Sequence, residues 1–356
     1  AADLQVVVVG GGPVGLSFAL WLLDLAEQAP LQLRIYDHRW ERHSGRIRWK
    51  AEQEGNNRRW QVVTLQSRVW SQLPEDIRAA AFAQGHYEEL WPHGPDSPEH
   101  VGRPRNLPVR HFEDVLLSIA QQRGDHRLEL IPDRYQHLQH GASADVLVLA
   151  DGGASRAEED VNRAEGREVF GPRVRCECPD ENILGLYFES TEDLTGISAG
   201  DGALLTVAQS RFLLNPLGRR QGFLNMRLTS GEAQEAVGMD GHRRTLAECM
   251  QSRPCIFRHT PQNGFECPTH HTRFKPVVDP TSFLWPRILD GLRLYSIPAE
   301  CLKVVTMFNV RLQSRHQFHA ELTAAEGRSL QVFVLGDAAI PLHFWPGRGL
   351  NTGLKG

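Results

Sequence analysis

The residues of this chain best suited to chemistry lie in two glycine-rich runs. Gly10, Gly12 and Gly15 take GxGxxG spacing in VVVVGGGPVG, directly after an apolar stretch. Glycine at those positions lets a backbone come close to a pyrophosphate, and a helix opening there adds partial positive charge. Far along the chain, VFVLGDAAIPLHFWPGRGLNTG joins an apolar stretch, a Gly-Asp turn and a Pro/Gly-rich run that opens another helix. That run offers backbone N–H groups to an anion. Two nucleotide-cradling runs so widely separated fit one long cofactor, and flavin adenine dinucleotide fits better than NAD alone.

The elements that must position these runs can be read around them. Val6–Val9 is an unbroken β-branched run, the pattern of a strand buried on both faces of a parallel sheet. Leu16–Leu25 reads as the helix after the glycine turn, and Leu31–Tyr36 as a second strand ending at Asp37. Asp37 stands about 20 residues beyond Gly15, where a carboxylate that binds a ribose hydroxyl is expected. A third buried strand, Asp145–Ala150, leads into Asp151-Gly152-Gly153.

Between these, Gly45–Asn57 and Pro92–Pro108 read as loops, and Arg59–Leu73 as a helix through Val62, Leu65, Val69 and Leu73. His111–Gln122 reads as a helix with Phe112, Val115, Leu116 and Ile119 on its apolar side. From 170 to 310 the pattern turns to short alternating stretches such as Leu184–Glu189, Ala203–Ala208 and Gly222–Leu228, as in an antiparallel sheet. The expectation is an α/β protein. A Rossmann-type FAD-binding domain over 1–156 and 329–356 would hold an inserted β-rich substrate domain over 157–328. A glycine run that opens a helix so close to Gly356 also predicts further residues beyond it.

Composition narrows the function classes. A formal charge of −4 over 356 residues, without a basic block, argues against nucleic acid as partner. The six cysteines are scattered through the second half, which favours a reduced, cytoplasmic setting over a disulfide framework. The longest apolar helical stretch, Leu16–Leu25, falls far short of a bilayer span. Cys255, His259, Cys267, His270 and His271 match no strong zinc template, so no metal is expected. No GxSxG elbow, P-loop lysine or HExxH is present.

Taken in order, GGGPVG, LVLADGGASR and VLGDAAIPLHFWPGRGLNTG resemble the single-component FAD-dependent monooxygenases of the para-hydroxybenzoate hydroxylase type. The resemblance implies that Gly10, Gly12 and Gly15 bind the FAD diphosphate, Asp37 the adenosine ribose and Asp337 a ribityl hydroxyl. It implies that Asp151 touches flavin and nicotinamide route alike. Pro346 and Gly347 would lie against the flavin ring, and Gly349, Leu350 and Asn351 would give N–H groups to its N1–C2=O edge. Arg110 would stand at a helix start beside the flavin. The implied reaction is reduction of FAD by NAD(P)H, addition of O2 at the flavin C4a, and delivery of one oxygen atom from the hydroperoxide to an aromatic or polycyclic small molecule.

The chain departs from that family in two places. Ile340 follows GDAA where histidine is usual, and His343-Phe344 stand near a common proline. His343 is a candidate donor to a substrate or peroxide oxygen. The stretch between the helix ending at Gln122 and the strand entering Asp151 is also shorter than the family's, so His140–Ser143 is expected to flank a deletion or missing loop. An FAD-dependent oxidase or reductase without oxygen transfer stays open, as does a flavoprotein acting on a protein partner, since Phe344-Trp345-Pro346 is similar to actin-oxidising flavoproteins. Halogenation is disfavoured by the absence of a WxWxIP stretch.

Overall fold

The computed structural model describes residues 3–355 apart from 28, 55, 57, 91–101, 154, 176–179, 195–203, 207, 237, 240–255, 262–263, 269–270, 324–326 and 342–347. Its first layer is a six-stranded sheet in the order His319–Thr323, Ser329–Val334, Val146–Leu149, Leu4–Val9, Leu31–Tyr36, Leu128–Ile131. All neighbours run parallel except the first pair. Val6 to Val9 are at most 6% exposed, because helices cover both faces. Val6 and Val8 pack with Leu16 and Leu20 of helix Pro13–Ala26 and with Phe112 and Leu116 of helix Val109–Gln122. Val7 and Val9 pack with Ala157 and Val161 of helix Arg156–Glu165 on the other side.

Two elements fall on the other side of the expected domain division. Helix Arg156–Glu165 and strand His319–Thr323 belong with the parallel sheet, not with the substrate domain. The remainder of the inserted segment forms an eight-stranded antiparallel sheet in which Glu181–Glu189 pairs with both Gln221–Leu228 and Leu302–Val310. Helix Leu284–Leu294 covers one face of it, where Leu284, Ile288 and Leu292 meet Leu224, Met226 and Phe257.

Local readings are corrected in four places. Arg46–Trp49 is a strand paired with Trp40–His43, not loop, and its Trp49 ring meets Trp40 edge-on at 5.9 Å. Val62–Leu65 is a strand, followed by a single helical turn Ser67–Trp70; a short strand running into a turn mimics helical spacing. Arg105–Pro108 is the strand that pairs with it, and 204–206 is helical rather than strand. Around His140–Ser143 the turn His137–His140 runs into Gly141–Ser143 and then into strand Val146–Leu149. No helix among the described residues is long and apolar enough to cross a membrane.

Candidate functional site: a crevice at the carboxyl ends of the parallel strands

Four strand ends come level along one edge of the parallel sheet. The Gly10 N–H donates to Tyr36 O at 2.9 Å, the Ala150 N–H to Val9 O at 2.8 Å, and the Leu335 N–H to Leu149 O at 2.9 Å. This brings Gly10, Asp37, Asp151 and Asp337 to a single crevice, the place where open α/β sheets bind ligands. Sequence-distant residues are thus gathered by strand register alone.

The glycine turn is shaped by steric necessity. Gly10 has φ +107°, and a Cβ there would sit 2.5 Å from Ala150 O. A Cβ on Gly15 would lie 1.9 Å from Gly10 O, so the helix can close on the turn only without one. Gly12 differs. Its nearest outside neighbour is Arg39 Nη2 at 3.6 Å, leaving open approach at the helix start. Gly12 caps helix Pro13–Ala26 with no side-chain hydrogen bond, and no acidic residue stands in the first turn, so that end is available to an anion. Gly11 is a fourth glycine that spacing rules pass over: a Cβ would strike the buried Trp40 ring at 2.0 Å.

Asp37 is 4% exposed and both its oxygens already hold donors. Oδ2 accepts from the Gly11 N–H at 2.9 Å, and the Arg39 guanidinium spans both oxygens, with Nη2 at 2.7 Å. Burial would push the Asp37 carboxyl up, but the charge and hydrogen bonds of Arg39 outweigh it and hold it below the ordinary value. Arg39 reaches on to the buried Glu113 at 3.1 Å, which also takes Arg58 at 3.4 Å. Trp49 lies between the two arginines, 4.8 Å from one and 4.7 Å from the other. Neither Arg39 nor Glu113 was legible as part of the site, since only folding brings them to Asp37.

Asp151 carries a different signature. Its Oδ2 accepts the Ala157 N–H at 3.1 Å, whereas its Oδ1 is buried without a partner. Burial pushes its carboxyl above the ordinary value, with the Ser155 hydroxyl and then the Ala157 N–H pulling the other way. A buried oxygen left without a donor is what a ligand hydroxyl would satisfy.

The second glycine run docks on the first. Val14 fills the space beside two glycines: a Cβ on Gly336 would lie 3.1 Å from Val14 Cγ2, and one on Gly353 only 2.6 Å. Helix Arg348–Lys355 therefore starts beside the turn, where the Asp337 carboxylate lies 2.8 Å from the place a Gly349 Cβ would take. Asn351 is 8% exposed; its Oδ1 accepts from the Gln66 N–H and its Nδ2 donates to Thr64 O, each at 2.8 Å. Leu350 is partly buried and packs on the core cluster that contains Leu16, Leu20 and Phe112. His343, Pro346 and Gly347 lie outside the described residues, as do Cys255 and His270. Among the described residues no group of histidine, cysteine and carboxylate side chains could hold a metal.

Strand Val62–Leu65 ties this crevice to the antiparallel sheet. Asn215 Nδ2 donates to Val62 O at 2.9 Å, Thr64 Oγ1 to Asn106 Oδ1 at 2.7 Å, and Asn106 Nδ2 to Pro216 O at 3.0 Å. The sheet face turned to this seam carries Tyr187, Phe223, Ile256 and Val304, packed with Val62 and Trp60. Arg110, in the first turn of Val109–Gln122, lies over Trp60 at 3.7 Å and within 5.7 Å of the Tyr187 ring. The glycine cradle, the open helix ends and the orphaned Asp151 oxygen all fit an extended dinucleotide such as FAD.

Residues 7–161 match the FAD-NAD(P)-binding family model, and the chain shares its fold with solved structures of an oxygenase and a flavin-dependent halogenase. A crystal structure of 2-methyl-3-hydroxypyridine-5-carboxylic acid oxygenase aligns with a TM-score of 0.53 at 14% identity, over 99% of this chain and 80% of that one. The flavin-dependent halogenase CmlS aligns with a TM-score of 0.52 at 12% identity, over 99% of this chain and 56% of that one. No curated protein sequence matches the chain.

Proposed function

We propose that the protein is an FAD- and NAD(P)H-dependent monooxygenase that places one atom of O2 on an aromatic or polycyclic small molecule in the cytoplasm. The observation that carries this reading is the docking of two glycine-cradled helix starts on one crevice, with the antiparallel sheet against it. FAD bound there would supply the chemistry, taking reducing equivalents from NAD(P)H and activating O2. The chain's own residues bind and orient. The open end of Pro13–Ala26, with Gly10, Gly12 and Gly15, would take the diphosphate. Asp37 would take the adenosine ribose if Arg39 yields part of its hold, and Asp337 a ribityl hydroxyl. The free oxygen of Asp151 would accept a hydroxyl from cofactor or nicotinamide ribose.

The backbone of Gly349, Leu350 and Asn351 would face the flavin pyrimidine edge, where a helix start favours negative charge. Pro346 and Gly347 would line the ring, and His343 is the candidate donor to an oxygen. The seam lined by Trp60, Tyr187 and Phe223 would seat the substrate ring away from water. The fold is shared with a halogenase, but the chain lacks a WxWxIP stretch.

Absorption spectra before and after NADPH addition in air test the cofactor, and incorporation of labelled oxygen from O2 tests the reaction. A protein that takes up no FAD overturns the reading. NADPH turnover with no labelled product leaves an oxidase or reductase in its place.

A further inference from the structure

The chain passes between its two large sheets twice, and the crossings pair as a ribbon of two short strands, Val174–Arg175 against Gln313–Ser314. The first crossing leads from helix Arg156–Glu165 to strand Glu181–Glu189, and the second from Leu302–Val310 back to His319–Thr323. At the inner end of the ribbon each crossing contributes one arginine, and both reach the same carboxylate oxygen. Arg173 Nη2 and Arg315 Nη2 donate to Glu158 Oε2, the latter at 2.9 Å. Glu158 stands in the first turn of Arg156–Glu165, where its N–H donates to the capping Ser155 Oγ at 3.1 Å. Arg173 Nη1 also donates to Gly153 O at 2.8 Å, so the cluster is bonded to the turn that borders the crevice. At the outer end the pattern repeats in water: Arg175 and Arg311 share Asp180 at 2.8 and 3.4 Å, with side chains 65% and 68% exposed.

Burial separates the two ends. The Arg315 side chain is 1% exposed and that of Glu158 8%. Arg315 lies 5.5 Å from the ring of Phe170, part of the parallel-sheet core, and its Nε and Nη1 have no acceptor. Among the described residues Glu158 is therefore its one counter-charge. Burial pushes the Glu158 carboxyl up, but the hydrogen bonds and charges of Arg315 and Arg173 outweigh it and hold it below the ordinary value. Removing that carboxylate leaves two cations side by side, one of them out of water, which is far costlier than losing an exposed pair. We infer that Glu158 is a positioning residue: by clasping both crossings it fixes how the antiparallel sheet seats against the crevice along the seam of Val62 and Asn215. The clasp does not depend on what fills the crevice, so it stands or falls apart from the monooxygenase reading.

Hydrogen exchange of the full chain, with FAD added, tests this at peptides spanning 60–65 and 212–217, whose seam bonds involve none of the three clasp residues. Glu158→Gln should speed exchange there at least about 10-fold and leave strand Leu4–Val9 and helix Leu284–Leu294 unchanged. Arg315→Lys, which keeps the charge but loses the fork, should give a smaller acceleration at the same peptides. Glu158→Gln combined with Arg315→Met should loosen the seam no more than the larger single change, because both act through one clasp. Asp180→Asn is expected to leave the seam as in the wild type. An unchanged seam in Glu158→Gln, additive effects in the double variant, or equal loosening by Asp180→Asn would each overturn the assignment. So would faster exchange throughout the chain, which reports lost stability rather than lost seating. If Glu158→Gln does not fold, Arg315→Lys and Asp180→Asn decide: a seam loosened by the first alone supports the clasp, and one loosened by both or by neither removes it. Failure to take up FAD is a separate result, and it bears on the monooxygenase reading alone.

Discussion

Asn351 and Thr64 are joined by a 2.8 Å hydrogen bond from amide Nδ2 to backbone oxygen. The same side chain takes the Gln66 N–H, so one amide replaces a missing strand neighbour at the end of Val62–Leu65. Asn351→Leu keeps the volume and leaves both backbone groups unanswered. The expected loss is about 1–3 kcal/mol in denaturant unfolding, together with weaker FAD binding because the helix start shifts. An unchanged FAD Kd would show that this clamp does not set the cradle.

Gly12 and Gly15 should respond in opposite ways to alanine. Gly15→Ala puts a methyl 1.9 Å from Gly10 O and should prevent the turn from closing, which thermal unfolding of the apoprotein will register. Gly12→Ala meets nothing nearer than 3.6 Å, so the apoprotein should melt as the wild type does while FAD titration shows lost affinity. If both variants bind FAD normally, the diphosphate lies elsewhere.

Two buried carboxyls give stability opposite dependence on pH. Asp37 is held below its ordinary value of 3.8, so its contribution is present above about pH 4 and is lost as pH falls through the lower folded value. Asp37→Asn should be less stable than wild type at pH 7, with the gap closing only as pH falls below 3.8 and through the lower folded value. Asp151 is pushed above 3.8, so the folded state is penalised as pH rises and the carboxyl ionises. Asp151→Asn apoprotein should be more stable than wild type at pH 7 and equal to it in acid. Parallel stability curves for either variant across that range would contradict the assignment.

Gly185 sets the shape of the seam. A Cβ there would lie 2.4 Å from the Phe223 ring and 2.8 Å from Thr306 Cγ2, both fully packed. Gly185→Ala should cost about 1–3 kcal/mol through overpacking and raise KM for an aromatic substrate more than it changes FAD binding. A variant with wild-type melting and kinetics would mean that Phe223 moves aside freely.

Much of the frame could be read from the chain because it depends on local chemistry. Val6–Val9, the glycine turn and Leu31–Tyr36 with Asp37 are contiguous, and their spacing reflects backbone constraints that act within a few residues. Val62–Leu65 was misread because a four-residue strand followed by one helical turn repeats its apolar residues at helical intervals. Arg46–Trp49 was hidden by its arginines, although their alternation with Ile47 and Trp49 suits a strand with one face buried. The grip of Arg39 on Asp37 and the orphaned oxygen of Asp151 had no sequence signal. Both follow from burial, which emerges only when the strands align.

Val14 touches Gly336 and Gly353, which the ribosome delivers long after it. Strand Ser329–Val334 must also slip in beside Val146–Leu149, which waits with one edge bare while the antiparallel sheet is being made. The early glycine turn thus cannot grip a whole dinucleotide on its own. Capture of the coenzyme would then report that synthesis and assembly of the later segments have finished, and a nascent chain stalled before Gly336 would stay colourless and open to aggregation through that edge.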